Sequence, residues 1–358
     1  MSPGTAPLWD SAAFRSGVEE ALRDFVDQQS AWLAELGEDA ARLVEHARVS
    51  VTGGKRFRAA FCWWGHLAVA EPDDPNALLK ACASLELLHA SALVHDDVMD
   101  ASDVRRGRPA THRAFEALHR ASGWSASAEQ YGAAAAILLG DLLLSWSDEL
   151  LRTSGLPAPR VLDALGYFDL TRSEVVTGQF LDVSAQARGT SDVDVAMTVL
   201  RYKSAKYSIE RPLHIGAALA GSGPETIAQL SRFGLPLGEA FQLRDDLLGV
   251  FGDPDVTGKP AGDDLIEGKR TVLVALALDA LAPADRKHLD TSLGRPLGVA
   301  EVADLRALID ASGAHEQVED VISALTERAL SALEAADIRD EARGVLRELA
   351  AAATQRTV

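Results

Sequence analysis

Apolar residues recur along this chain at spacings of three and four. Val18, Leu22, Phe25 and Val26 keep that rhythm, and so do Leu33, Leu36, Leu43 and Val44. The period is that of one face of an α-helix. Strand-like alternation bounded by hairpin turns is hard to find. Breakers such as "TGGK", "PDDP", "RRGRP", "ASGW", "SGLPAP", "ARGT" and "GSGP" interrupt the rhythm, and "GDPDVTGKPAGDD" is the longest interruption. They divide the chain into roughly ten helical blocks. No fixed-period repeat or low-complexity linker marks a boundary. The pattern predicts an all-α chain, a single helical domain over residues 1–358, with residues 1–10 loose. From about residue 284 onward the chain is Ala/Leu/Glu-rich helix, read as scaffold.

Composition narrows the function classes. Of 358 residues 47% are apolar, enough for a sizeable core, and 25% are charged. The formal charge is -18, from 35 basic and 53 acidic residues. That balance repels a phosphate backbone and argues against nucleic-acid binding. Any anionic substrate needs a local basic cluster or bridging cations. The two cysteines, Cys62 and Cys82, fall in apolar helical segments and read as buried thiols of a reducing, cytoplasmic compartment. The start, "MSPGTAPLWDSAAF", has no basic stretch leading into an apolar block, so no signal peptide is expected. "YGAAAAILLGDLLLSW" is short and carries Asp141, so it reads as a core helix rather than a transmembrane segment. Asp141 itself reads as a hydrogen-bonded structural carboxylate, and Trp63, Trp64 and Trp146 as packing residues.

The chemistry begins at "LVHDDVMD", which sets Asp96, Asp97 and Asp100 in an apolar run. On a helix Asp96 and Asp100 share a face, with Asp97 beside them. Such a cluster costs energy or takes up protons unless a cation neutralises it. Magnesium suits it, because it takes one or two carboxylates plus substrate phosphates. A solvated helix end would explain one such cluster. A second, Asp245 and Asp246 in "FQLRDDLLGVFGD" with Asp253 after it, weakens that explanation. Together the two groups could share metal ions and hold a diphosphate. Basic blocks accompany them: Lys55, Arg56 and Arg58 in "GGKRFR", Arg105, Arg106 and Arg108 in "RRGRP", Lys203 and Lys206 in "YKSAK", and Lys259, Lys269 and Arg270 further on. Guanidinium forks and ammonium groups suit phosphate oxygens. The glycines before Lys55 leave helix N–H groups open to an anion.

These blocks, in this order across roughly residues 40 to 280, resemble the trans-isoprenyl diphosphate synthases, or polyprenyl synthetases. The quoted stretches that carry the resemblance are "GGKRFR", "LVHDDVMDASDVRRGRP", "GQFLD", "YKSAKY" and "FQLRDDLLGVFGD" with "TGKPAGDDLIEGKRT". The resemblance implies the isoprenoid-synthase fold, an antiparallel helix bundle around a central cavity, commonly as a homodimer. It implies head-to-tail condensation of isopentenyl diphosphate with an allylic diphosphate. Asp96, Asp100 and Asp245 would ligate a trinuclear magnesium cluster, and Asp97 and Asp246 belong to the same metal-binding set. Arg105, Lys203 and Lys259 would grip the allylic diphosphate. Lys55, Arg58, His89 and Arg106 would hold isopentenyl diphosphate. Gln179, Asp182 and Gln242 would line the region of the reacting carbons, and Ser204 and Lys269 join the substrate-binding set. The chain departs from the family pattern at Gly249, where a third carboxylate is usual, and at Ser204, where threonine is usual but the hydroxyl is kept. In such enzymes bulky side chains upstream of the first motif act as a floor for the growing product. Ser91 and Ala92 are small and Leu88 lies a turn deeper, which favours geranylgeranyl diphosphate first and longer polyprenyl products second.

Three rival readings are weaker. A class I terpene cyclase shares the fold but has no use for a second diphosphate site, so "GGKRFR" and "RRGRP" count against it. A metal-dependent HD-type phosphohydrolase would recruit His95-Asp96 with His66, His89 and Asp141, and leaves the basic blocks unexplained. A silent partner subunit tends to lose its acidic motifs, which this chain retains.

Overall fold

The computed structural model describes residues 8–252 and 262–355. Helix dominates, as the periodicity predicts. Among the described residues the only strands are Val104–Arg105 and Arg108–Pro109, paired antiparallel. This small hairpin is hidden in "RRGRP". Its central residues, Arg106 (φ 52) and Gly107 (φ 72), are both left-handed, as a type I′ turn requires. Strands of two residues are too short to show alternation.

Residue contacts group the chain into two compact units. The first runs to Ala164 and takes back Ile215–Ser222. It contains α1 (Ala12–Leu33), α2 (Glu38–Ser50), α3 (Phe57–Leu67), α4 (Pro75–Met99), α5 (Thr111–Ala121) and α6 (Ala128–Arg152). Its centre is α4, which packs against α6, α1 and α3. Asp74 starts α4 by accepting from the backbone N–H of Asn76 (2.9 Å) and Ala77 (3.1 Å), with Pro75 in the first turn. By length and composition α4 could cross a bilayer, but 72% of its most apolar window is buried inside the protein, as in a core helix. Cys62 and Cys82 are both free and buried. Trp64 and Trp146 are core residues, and Trp63 meets Phe14 at 5.8 Å. The expectation of a loose start over residues 1–10 is corrected for Leu8–Asp10. These residues form one 3₁₀ turn, because Trp9 is buried and stacks on Phe57 at 5.2 Å.

The second unit comprises Leu165–His214 and Gly223–Val358. It holds most of α7 (Ala158–Arg188), then α8 (Val193–Val199) and a π-helical segment, Leu200–Glu210. That segment runs into α9 (Arg211–Leu219), whose last residues return to the first unit. After α10 (Pro224–Phe251) come α11 (Asp263–Glu267), α12 (Val272–Ala280), α13 (Pro283–Ser292), α14 (Val299–Ala311), α15 (Ala314–Ala335) and α16 (Asp340–Thr354). Here α10 is central, packed on the π-helical segment, α15 and α16. The C-terminal helices are scaffold with a defined task. Glu319 of α15 forks onto the Arg244 guanidinium, and the carbonyl of Thr354 accepts from Arg244 Nε at 3.0 Å.

One buried pair fixes the entry to α3. Glu86 of α4 accepts from the N–H of Ala59 (3.3 Å), in the first turn of α3, and from Arg56 Nη1 (3.1 Å). Both Arg56 and Glu86 are about 5% exposed. A carboxylate at a helix N-terminus meets free N–H groups and the positive end of the dipole. Glu86→Ala would leave a buried guanidinium unpaired, at a cost of about 3–5 kcal/mol. The expected result is a urea unfolding midpoint well below that of the parent protein; an unchanged midpoint would show that the pair adds nothing.

Candidate active site

The three aspartates of α4 lie in its last turn and at its C-cap, where Asp100 N–H donates to Asp96 O at 2.8 Å. Ala101 turns left-handed (φ 54) and Ser102 N–H reaches back to Asp97 O at 3.0 Å, closing the helix in a Schellman arrangement. Carboxylates here sit at the negative end of the helix dipole, which is unfavourable without cations. The sequence presents Asp96 and Asp97 as equals, but the structure separates them. Asp97 is buried (2% exposed) and accepts the Arg105 fork, with Nε at 2.8 Å and Nη2 also bonded. Asp96 and Asp100 are half-buried. Arg105 Nη2 passes 3.9 Å from Asp96 Oδ2. Arg105, expected to grip diphosphate, thus starts from a bond to Asp97.

The basic residues of "GGKRFR" and "RRGRP" meet in the first unit. Arg106 Nη1 donates to the carbonyl of Thr52 at 3.0 Å, beside the glycine turn (Gly53 φ 74, Gly54 φ 92) that precedes Lys55. Packing around half-buried His89 pushes its imidazole well below the ordinary range, and Arg58, Arg106, Arg105 and Arg56 push it further in that order. Arg58, Arg106, Arg105 and Arg56 thus lie near enough to His89 to disfavour a charged ring, and Arg105 and Arg56 are in turn balanced by Asp97 and Glu86. Lys55 is exposed. Arg56 has a different task, because both ends of its fork are taken by Glu86 and the Val51 carbonyl.

His95 is turned to α6. Its Nε2 lies 3.1 Å from the Ile137 carbonyl, and a Cβ on Gly140 would stand 2.2 Å from that nitrogen. Asp141, expected as a hydrogen-bonded structural carboxylate in an apolar setting, has a side chain 64% exposed, with Oδ1 3.5 Å from His95 Nε2. It lies at an exposed position within the apolar central run of α6. His66 bonds the Ala70 carbonyl at 3.1 Å. These ring nitrogens serve backbone carbonyls, against an HD-type metal centre. Upstream of the aspartates, Ser91 and Leu88 are buried and Ala92 is half-buried.

In the second unit the π-helical segment carries Lys203 and Ser204. Lys203 Nζ donates to Asp182 Oδ2 of α7 at 2.6 Å. Glycines allow the backbones to approach: a Cβ on Gly178 would lie 2.4 Å from Lys203 N, and one on Gly238 would lie 2.5 Å from Ala205 O. Gln179 is half-buried beside Gly178. On α10, Asp245 is half-buried and Asp246 is buried, accepting from Gln242 Nε2 at 2.8 Å. Burial, with the negative charges of Asp264 and Asp245, raises the Asp246 carboxyl to about 8.

The missing third carboxylate at Gly249 has a counterpart that sequence reading passed over. A Cβ there would stand 1.9 Å from Asp264 Oδ2, so a carboxylate from α11 already fills that space. Lys269 Nζ is 3.3 Å from Asp264 and 2.5 Å from Glu267. Lys259 and Asp253 lie outside the described residues.

Magnesium fits these donors. Asp96, Asp100 and Asp245 offer hard carboxylate oxygens on partly exposed positions. Among the described residues no three His, Cys, Asp or Glu side chains form a ready metal cage. Magnesium needs none, since it keeps waters and takes substrate phosphates.

The family model for polyprenyl synthetase matches residues 41–311. The chain is similar to a geranylfarnesyl diphosphate synthase of Natronomonas pharaonis, 36% identical over 208 residues, 58% of this chain and 56% of that one. It is similar to a short chain isoprenyl diphosphate synthase of Methanothermobacter thermautotrophicus, 32% identical over 306 residues, 85% of this chain and 87% of that one. Among solved structures, a geranylgeranyl pyrophosphate synthase from Corynebacterium glutamicum, complexed with isoprenyl diphosphate and magnesium, superposes with a TM-score of 0.94 at 43% identity, covering 96% of this chain and 99% of that one. The all-α architecture is that of the isoprenyl synthases. This chain belongs to the polyprenyl synthetase family and is a trans-prenyltransferase.

Proposed function

We propose that this enzyme joins isopentenyl diphosphate head to tail to an allylic diphosphate, with geranylgeranyl diphosphate as product. One observation carries the reading: within the first unit, Arg105 bridges to Asp97 and Asp96 at the acidic end of α4 while its neighbour Arg106 bonds the Thr52 carbonyl beside the glycine turn of "GGKRFR". Two anion sites of different chemistry suit two diphosphates, one met by arginines and one by metal. A cyclase has no use for the first.

In this reading Asp96, Asp100 and Asp245 hold magnesium, three ions per site, and Lys203 and Arg105 contact the allylic diphosphate. Magnesium would supply positive charge to the leaving group. The allylic C–O bond breaks, and its electron pair leaves on the diphosphate. The double bond of isopentenyl diphosphate, anchored by Lys55, Arg58, His89 and Arg106, attacks the carbocation. Loss of one proton to the departing diphosphate completes the new unit, and the chemistry requires that water, which would trap the cation, be excluded. Self-association as a homodimer draws support from exposed apolar side chains: Ile137 and Leu138 in the first unit, and Val176 and Phe180 in the second.

The test is purified protein with magnesium, isopentenyl diphosphate and each of the C5, C10 and C15 allylic diphosphates. The expected product is C20; C25 or longer chains would move the reading to the long-chain alternative, and turnover of the allylic substrate alone would overturn it. Light scattering on the same sample should give a dimer mass, and a monomer mass would remove the dimer from the reading. Substituting the floor gives a sharper outcome. Ser91→Phe and Ala92→Phe should each shorten the product. Ser91 is buried, so overpacking costs its variant about 1–3 kcal/mol, and half-buried Ala92 offers the milder substitution. Unchanged products in both would place the floor elsewhere.

A further inference from the structure

A π-helical run of eleven residues, Leu200–Glu210, is unusual. Backbones of ordinary side-chain-bearing residues settle into i→i+4 bonding, and wider turns occur mostly as single bulges. Something outside the segment must hold it open. Three positions of α7 at helical spacing face it: Glu174, Gly178 and Asp182. Glu174 receives the Arg211 fork, Nε and Nη2 each at 2.7 Å, and Lys206 Nζ at 3.4 Å. Lys206 also donates to Glu210 at 2.9 Å. Gly178 lets the backbone of Tyr202 and Lys203 come within the reach of a Cβ. Asp182 takes the Lys203 ammonium at 2.6 Å. Behind Arg211, Nη1 donates to His214 Nδ1 at 3.1 Å, which leaves Nε2–H to donate to Ser231 Oγ at 2.9 Å. The exit of the segment is therefore tied down, and its charges balance: Glu174 and Glu210 against Lys206 and Arg211.

We infer that Glu174 is a positioning residue: with Gly178 and Asp182 it makes one face of α7 a template that imposes the wide winding on Leu200–Glu210 and so aims Lys203 and Ser204 at the substrate diphosphate. This rests on the reading that Lys203 binds the allylic diphosphate. Glu174 itself touches only Arg211 and Lys206 in the contacts described, and acts through them.

The experiment compares Lys203→Ala, Glu174→Gln and the charge-balanced double variant Glu174→Gln/Lys206→Gln. Readouts are the KM of each substrate and hydrogen–deuterium exchange of the amides of residues 200–210. The double variant guards against failure to fold, because it removes one charge of each sign. Glu174→Gln and the double variant are expected to raise the allylic KM by about 10- to 100-fold, the effect of displacing a binding group by about 1 Å. The isopentenyl diphosphate KM stays put, and exchange quickens in 200–210 alone. Normal allylic KM with normal exchange in the double variant would overturn the template. So would exchange that quickens evenly across the protein. If Lys203→Ala leaves the allylic KM unchanged, the substrate reading fails instead, and the exchange pattern still decides whether Glu174 shapes the segment.

Discussion

Asp96→Asn is expected to lower kcat by roughly 10³-fold, about 4 kcal/mol of transition-state stabilisation, while leaving the protein at least as stable as before. The two effects have separate causes. Asp96 stands in the final turn of α4, where the dipole is negative, with Asp97 and Asp100 close in sequence. Removing one charge relieves like-charge repulsion of about 0.2–0.5 kcal/mol and an unfavourable dipole term of about 0.3–1 kcal/mol. Asp97 accepts the Arg105 fork, so that ion pair survives, and the approach of the same guanidinium to Asp96 is a long one of 3.9 Å. The loss falls on metal binding. Steady-state rates at saturating magnesium, set beside urea unfolding, check both halves. Near-normal turnover would show that Asp96 is no ligand; a lowered midpoint would recast it as a structural residue.

Gly178→Ala is expected to cost about 1–3 kcal/mol of stability and about 10²-fold in kcat/KM. The added Cβ would stand 2.4 Å from Lys203 N, 2.6 Å from Tyr202 C and 2.8 Å from Lys203 Cα. All three are backbone atoms, so no rotamer change relieves the contact and the segment itself must move. A control lies on the same helix. Gly166 meets nothing within 4 Å of an added Cβ, and Gly166→Ala should stabilise by about 0.5–1 kcal/mol through helix propensity alone. Thermal unfolding and kinetics of the pair separate helix propensity from the close approach. Equal behaviour of both variants would mean that α7 and the segment have room to part.

The helices and both acidic motifs were legible because helical periodicity and carboxylate spacing are local properties. Lys55, Arg58, His89, Arg105 and Arg106 were legible as a group only through the order of their blocks; the approach of Arg58, Arg105 and Arg106 to His89 is tertiary. What stayed hidden was decided by packing. Asp96 and Asp97 are adjacent identical residues, and the helix phase buries one of them. Asp141 sits in an apolar run yet faces out, since the run is wider than the buried face of α6. The π-helical winding has no periodic signature of its own. Gly249 reads as a lost acid until the side chain of Asp264, fifteen positions on, is found in its place. Trp9 orders Leu8–Asp10 by finding a single ring, that of Phe57, to stack on.

The hairpin turn at Arg106 has an evolutionary consequence. A left-handed arginine (φ 52) is held at a cost on the order of 1 kcal/mol, in a position where glycine or asparagine would rest comfortably. Laboratory selection for heat resistance alone would therefore drift toward those residues at 106 and, on the proposed reading, discard an anion anchor on the way. On that reading the discomfort of this one residue records a pressure for catalysis that thermal survival does not supply.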